Sequence, residues 1–162
     1  YEIRPRDWSS DVCSSDLAAA LLLEGEEGCA AELLRAAVLL PRDGGGVVSE
    51  GADSMEASWR SNTVIERPSV NTVADGIAVR TPVPEALQDM RGVVDDVVRV
   101  TEGSIVQAMR TLFSTSGIVG EPAGVVGLAA LMEHASLRHG RLATIICGSN
   151  LTEEQVQKWL FA

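Results

Sequence analysis

The 162-residue chain has the size of one domain, and 46% hydrophobic with 22% charged residues is the balance of a soluble globular protein. Its formal charge of -10, from 23 acidic against 13 basic side chains, repels nucleic acid and anionic membrane, and no polybasic patch occurs, so neither is expected as a partner. Cys13, Cys29 and Cys147 share no disulfide or metal-ligand spacing, which leads us to expect a reduced, cytoplasmic setting. The longest apolar run, residues 17–23, is far too short to span a bilayer, and no signal-peptide pattern precedes it. Lys158 is the only lysine in the sequence, so any chemistry needing a lysine must use it, borrow one from another chain, or be absent.

Residues 1–17 carry a near repeat of Ser-Ser-Asp followed by an apolar residue and have no helical or strand period. Residues 4–17 resemble the peptide encoded when a sequencing adapter is translated in frame, and residues 1–17 are expected to be an extraneous or disordered leader. Residues 18–46 form a segment of uncertain origin. Its composition favours helix, but Gly25 and Gly28 each cost about 1 kcal/mol relative to alanine, which predicts two helical pieces, 17–24 and 30–40. Pro41 to Gly46 then reads as a loop, and Val47, Val48 and Ser49 as a short strand. The glycines at 44 to 46 lead into β-branched residues instead of a helix start, so a plain linker is a better reading than a phosphate cradle.

The remainder, residues 47–162, alternates helix and strand. Asp53 or Ser54 suits a helix cap with Trp59 reaching the core one turn on, and the helix ends near Ser61 and Asn62. A segment containing Gly76 follows, where the absence of a Cβ permits close approach. Pro82-Val83-Pro84-Glu85 opens a helix carrying Ala86, Leu87 and Met90. Residues 93–100 read as a strand entered through Asp95 and Asp96. A helix with Ile105, Val106, Met109, Leu112 and Phe113 at helical spacing comes next. Pro122 suits the first position of another helix, with Ala123, Gly124 and Gly127 small enough to lie close on a sheet and Glu121 beside its positive end. His134 and His139, five apart, fall on different faces and not at metal-binding spacing. Residues 142–146 read as a strand covered on both faces, breaking at Cys147, Gly148, Ser149 and Asn150 into a turn. Thr152 and Gln155 then form a capping box ahead of Val156, Trp159 and Leu160. These elements predict an α/β fold, a layered and mainly parallel sheet flanked by helices, with a ligand crevice past the end of the last strand.

Four stretches occur in one order: Glu50-Gly51-Ala52-Asp53-Ser54, Thr72 to Val79 around Gly76, Glu121-Pro122-Ala123-Gly124, and Cys147-Gly148-Ser149-Asn150. Together they resemble the carboxyl-terminal half of the pyridoxal-phosphate-dependent threonine and serine dehydratases, fold type II, related to the tryptophan synthase β chain. The resemblance covers roughly residues 47–161, and the ordered set is far more specific than any one motif. It implies a partial fold-type-II domain, pyridoxal 5′-phosphate as cofactor, and an amino-acid substrate that loses water to give a 2-oxo acid and ammonia. It implies cofactor contacts at Gly76, Glu121, Cys147, Gly148, Ser149 and Asn150, with Cys147 hydrogen-bonding the pyridine nitrogen. Family members associate, which implies a homo-oligomer.

The departures matter as much. Ser149 replaces a second glycine, and Val48 stands where some relatives carry a metal-binding acid, so no metal is expected. The Schiff-base lysine and the glycine-rich phosphate loop belong to the amino-terminal half of the family fold and are unmatched, while Lys158 reads as a surface residue. The expectation is a dehydratase fragment with no catalytic residue of its own, inactive alone. A second reading stays open: a non-catalytic α/β domain that binds a small anion or a partner through the same crevice. Threonine or serine preference is not legible.

Overall fold

The computed structural model describes residues 19–22, 44–138, 142–148 and 150–161. In chain order these form β1 (Ala19–Leu22), β2 (Gly45–Ser49), a 3-10 turn (Glu50–Ala52), α1 (Ser54–Ser61), a second 3-10 turn (Asp75–Ile77) and α2 (Pro84–Met90). Then come β3 (Asp96–Val100), α3 (Glu102–Ser116), a 3-10 turn (Ala123–Val125) running into α4 (Val126–Glu133), a further turn (Ala135–Leu137), β4 (Ala143–Ile146) and α5 (Glu153–Leu160). The leader, the second of the two expected helical pieces, His139 and Ser149 lie outside the described residues. Among the described residues no helix is long and apolar enough to cross a membrane.

The α/β layering expected from the sequence is present. β2 and β3 pair in parallel, with Val48 opposite Arg99, while β4 pairs antiparallel with β1, Ala20 opposite Ile145. Two expectations are corrected here. Ala19–Leu22 is a strand, not part of a helix; four small or apolar residues carry no period that separates the two states, and the edge of β4 supplies the backbone partners. β4 is covered on one face only, since Ile146 is 3% exposed but Ile145 is 62% exposed.

Helix α3 forms the spine of the core. Thr101 caps it by accepting from the Ser104 N–H at 3.1 Å, and Gly117, with φ at 72°, ends it in the left-handed region that glycine occupies without a Cβ clash. Ile105, Ala108, Met109 and Leu112 recur at helical spacing and are buried. Burying each of the three larger side chains stabilises the fold by about 1.5–3 kcal/mol. They meet Ala74, Val100, Val125, Ile146 and Trp159, so one core joins the Gly76 segment, β3, α4, β4 and α5. Helix α4 packs across β2, β3 and β4, where its small residues permit the approach. The Thr152 capping box on α5 is present, with Gln155 N–H donating to Thr152 Oγ1 at 3.2 Å and Thr152 N–H to Gln155 Oε1 at 2.9 Å.

Helix α1 departs from its expected role. Its buried residues are Ser54, Glu56 and Ser58, and Trp59 is only half-buried, with the Arg60 guanidinium 5.6 Å from its ring centroid. The helix therefore docks through polar groups, and each is paired: Ser58 Oγ donates to the Ser54 carbonyl at 2.7 Å and accepts from the Ile65 N–H at 2.7 Å.

Candidate functional site

Two loops close on each other at the carboxyl end of β4, and a third lies against them. The Glu121 N–H donates to the Cys147 carbonyl at 3.1 Å, the Gly124 N–H to the Glu121 carbonyl at 3.0 Å, and the Cys147 N–H to the Gly124 carbonyl at 3.4 Å. Gly120 and Gly148 form an antiparallel bridge beside them. The contact is between main chains, which explains the glycines. A Cβ on Gly124 would stand 2.0 Å from the Cys147 carbonyl oxygen, and one on Gly148 would stand 2.5 Å from that of Val119. The third loop arrives through Gly76, where a Cβ would lie 3.0 Å from the Ala123 Cβ.

Gly76, Glu121, Cys147 and Gly148 are thus brought into one wall. Gly76 is exposed, Glu121 and Cys147 half-buried, and Asn150 is exposed beyond them. Ser149, expected at the same place, lies outside the described residues. Lys158 is exposed on α5, whose buried residue is its neighbour Trp159.

The sequence reading did not find the polar framework behind this wall. Asp53 precedes α1 without capping it through its side chain. Its carboxylate instead receives Arg67 at 2.7 and 2.8 Å and Arg99 at 3.0 Å. Glu56, 5% exposed, receives Arg99 at 2.6 Å and also pairs with Arg60. Hydrogen bonds from Arg67 hold the Asp53 carboxyl below its ordinary range, with Arg99 adding to the effect against burial. Burial alone would raise Glu56, but the bonds from Arg99 and Arg60 outweigh it and leave the group lowered. Charged residues scattered over four elements carry no sequence spacing that announces such pairing. A third acid, Glu102, accepts from the Ser49 hydroxyl and from the Val73 N–H at 2.7 Å. Glu102 is the first residue of α3, and its partners lie 29 and 53 positions away in sequence.

Among the described residues, no group of three or more His, Cys, Asp and Glu could hold a metal ion. Val48 is a buried strand residue at 8% exposure. His134 Nε2–H donates to the Arg99 carbonyl at 2.7 Å.

A layered α/β domain whose small-residue motifs converge on one strand end is the class that fold and wall define. Residues 43–148 match the profile of the pyridoxal-phosphate-dependent enzymes, and the chain belongs to that family. It is similar to the L-threonine ammonia-lyase of Thermotoga maritima, 32% identical over 113 residues covering 70% of this chain and 28% of the lyase. Among solved structures, a T.th. threonine deaminase matches with a TM-score of 0.59 at 28% identity over 65% of this chain and 35% of that one. Maize serine racemase matches with a TM-score of 0.57 at 29% identity over 67% of this chain and 34% of that one. The chain therefore spans between 28% and 35% of the length of these relatives. The family and fold type expected from the sequence are borne out, and pyridoxal phosphate is the cofactor of the family.

The cofactor asks for a flat face, a polar partner at its ring nitrogen and a lysine. Among the described residues other than its chain neighbours, a Cβ at Gly76 would meet only Ala123 within 4 Å, and Gly76 is exposed, so its main chain is open to a flat ring. The Cys147 thiol, half-buried at the end of β4, is a small hydrogen-bonding group of the right kind. These residues fit the ring. The exposed Lys158 does not fit the covalent anchor.

Proposed function

We propose that this chain forms the ring-facing wall of a threonine or serine dehydratase, an ammonia-lyase that removes water from the amino acid to give a 2-oxo acid and ammonia. The observation that carries the reading is the closure of Glu121 and Gly124 onto Cys147 through main-chain contacts, with Gly76 lying against Ala123 beside them. When bound, pyridoxal phosphate supplies an electron sink for the bond broken at the substrate's α-carbon. Cys147 Sγ would hold the ring nitrogen by a hydrogen bond, leaving the ring a milder sink than a carboxylate partner would. Gly76 presents bare main chain to the ring face. Glu121 closes the wall beside it, and Gly148, Ser149 and Asn150 form the turn that positions Cys147.

The 162-residue chain is silent by itself on this reading, because its single lysine, Lys158, is exposed on α5 beside the buried Trp159. The lysine comes from another segment or chain, and assembly as a homo-oligomer in a cytoplasmic setting belongs to the same proposal. The exposure of Lys158 also favours a second reading, in which a small anion is held without a covalent link and no reaction follows.

The test is to incubate the purified chain with pyridoxal phosphate and threonine. We expect the cofactor to slow alkylation of Cys147, followed by mass spectrometry of that peptide, with no borohydride-fixed adduct on Lys158 and no steady 2-oxobutanoate release. An adduct on Lys158 or sustained release overturns the silence of the chain. Unprotected Cys147 overturns the wall. Protection by inorganic phosphate equal to that by pyridoxal phosphate favours the second reading.

A further inference from the structure

Residues 67–80 leave and rejoin the fold at one point, where the Arg67 N–H donates to the Arg80 carbonyl at 3.0 Å. The loop between carries Gly76, and its shape is fixed from outside. The Asn71 N–H donates to the Gly51 carbonyl at 2.9 Å, and Ser54 Oγ donates to the Val79 carbonyl. Asn71 comes so near that a Cβ on Gly51 would stand 1.8 Å from its carbonyl oxygen. Between these two ties lies a third of different chemistry. The Val73 N–H, three residues before Gly76, donates to Glu102 Oε2 at 2.7 Å, and Glu102 Oε1 takes the Ser49 hydroxyl. Ser49 Oγ in turn accepts from the Gly51 N–H at 3.0 Å.

We propose that Glu102 is a positioning residue for the cofactor wall: through its bond to the Val73 N–H it sets the Gly76 turn against Ala123, and through Ser49 it locks that turn to the Gly51 segment. The proposal rests on the reading of Gly76 as part of the ring-facing wall. A carboxylate suits the task because a charge-assisted acceptor holds a main-chain donor more firmly than a neutral one. Its two oxygens also serve two segments from one side chain. Being the first residue of α3, it is held by a helix whose buried face is fixed in the core. Beyond Val73, apart from the Ser54–Val79 tie and the burial of Ala74 in the core, the hydrogen bonds of the turn among the described residues are short-range, among them Gly76 N–H to its neighbour Asp75 at 2.8 Å and Ile77 N–H to the Ala74 carbonyl at 3.1 Å. Those short-range bonds preserve the turn but do not place it.

The test compares the full chain with Glu102→Gln and Glu102→Asp. Asp keeps a charge at the start of α3 but is one methylene short of spanning both partners, so it separates placement from helix stabilisation. We expect amide exchange over residues 72–78 to accelerate at least about tenfold in both variants, the scale of a hydrogen bond to a charged group, while residues 105–113 of α3 keep their protection. Pyridoxal phosphate should protect Cys147 less well in both. Unchanged exchange at 72–78 in a folded variant overturns the proposal, and so does full rescue by Asp. In the unaltered chain the Val73 amide should itself exchange at least about tenfold slower than an open loop amide; an open-loop rate overturns the proposal even if neither variant folds. Loss of cofactor protection in the unaltered chain, with the exchange effects intact, overturns the wall and leaves the Val73 anchor standing.

Discussion

The α-carbon of Gly124 lies directly against the Cys147 peptide: a Cβ there would be 2.0 Å from the carbonyl oxygen and 2.8 Å from the amide nitrogen. No side-chain rearrangement relieves such a contact, because every atom involved is main chain. Gly124→Ala should therefore cost at least about 3 kcal/mol, the upper range for overpacking, or prevent folding. Gly127→Ala is the contrast, since its Cβ would meet Thr144 Oγ1 at 1.9 Å, a side-chain atom. Its cost should fall when combined with Thr144→Ala, and no single truncation should rescue Gly124→Ala. Urea unfolding of the four variants checks both statements.

Stability should fall with acid through the Asp53 and Glu56 carboxyls. Both are held below their ordinary values, so the unfolded chain takes up these protons more readily than the folded one. Their contribution is complete above the unfolded carboxylate values, about pH 4, and is lost as pH falls through the lower folded values. Asp53→Asn and Glu56→Gln should each flatten that fall. Asp53→Asn should cost about 1 kcal/mol at neutral pH, because the guanidiniums of Arg67 and Arg99 are 37% and 47% exposed and water screens the pairing. Urea midpoints measured from pH 7 downwards decide it, and parallel curves for wild type and variants would refute the assignment.

The outer edge of β3 is closed by side chains. Arg60 Nη2 donates to the Val97 carbonyl at 2.6 Å and His134 to that of Arg99, while the Thr101 N–H donates to Glu133 Oε2 at 3.0 Å. An uncapped edge is a template for strand addition. Arg60→Ala with His134→Ala should lower stability by about 1–2 kcal/mol and increase concentration-dependent self-association in sedimentation velocity. A double variant that sediments like the parent at every concentration would contradict this.

Helix α5 hangs on a cap and one aromatic anchor. Thr152→Ala should cost about 1 kcal/mol. Trp159→Ala, which empties a site only 9% exposed, should cost about 3–5 kcal/mol. Amide exchange should show α5 opening before α3 in Thr152→Ala. Equal acceleration of both helices would mean that the cap does not act locally.

Much of the site was written in short-range features. The strand ending at Ile146, the turn at Gly148 and the Thr152 capping box depend on neighbours a few residues away, and so could be read directly. The buried face of α1 could not. Ser54 and Ser58 look like surface residues until Val79, Ile65 and the backbone of the helix itself supply their partners. Ala19–Leu22 failed for a related reason: its strand state depends on β4, more than a hundred residues later in the chain.

By itself the sequence determined the alternation of helix and strand, the four ordered motifs and the family they resemble, and the presence of one lysine. Local periodicity, capping and motif order are properties of neighbouring residues, and they survive without knowledge of the fold. Only the tertiary structure decided that Gly124 must be glycine to meet the Cys147 main chain, that Arg99 serves both Asp53 and Glu56, and that Glu102 reaches back to Val73. Those relationships join residues 23 to 46 positions apart, and only packing of the elements brings such atoms within hydrogen-bonding or van der Waals reach.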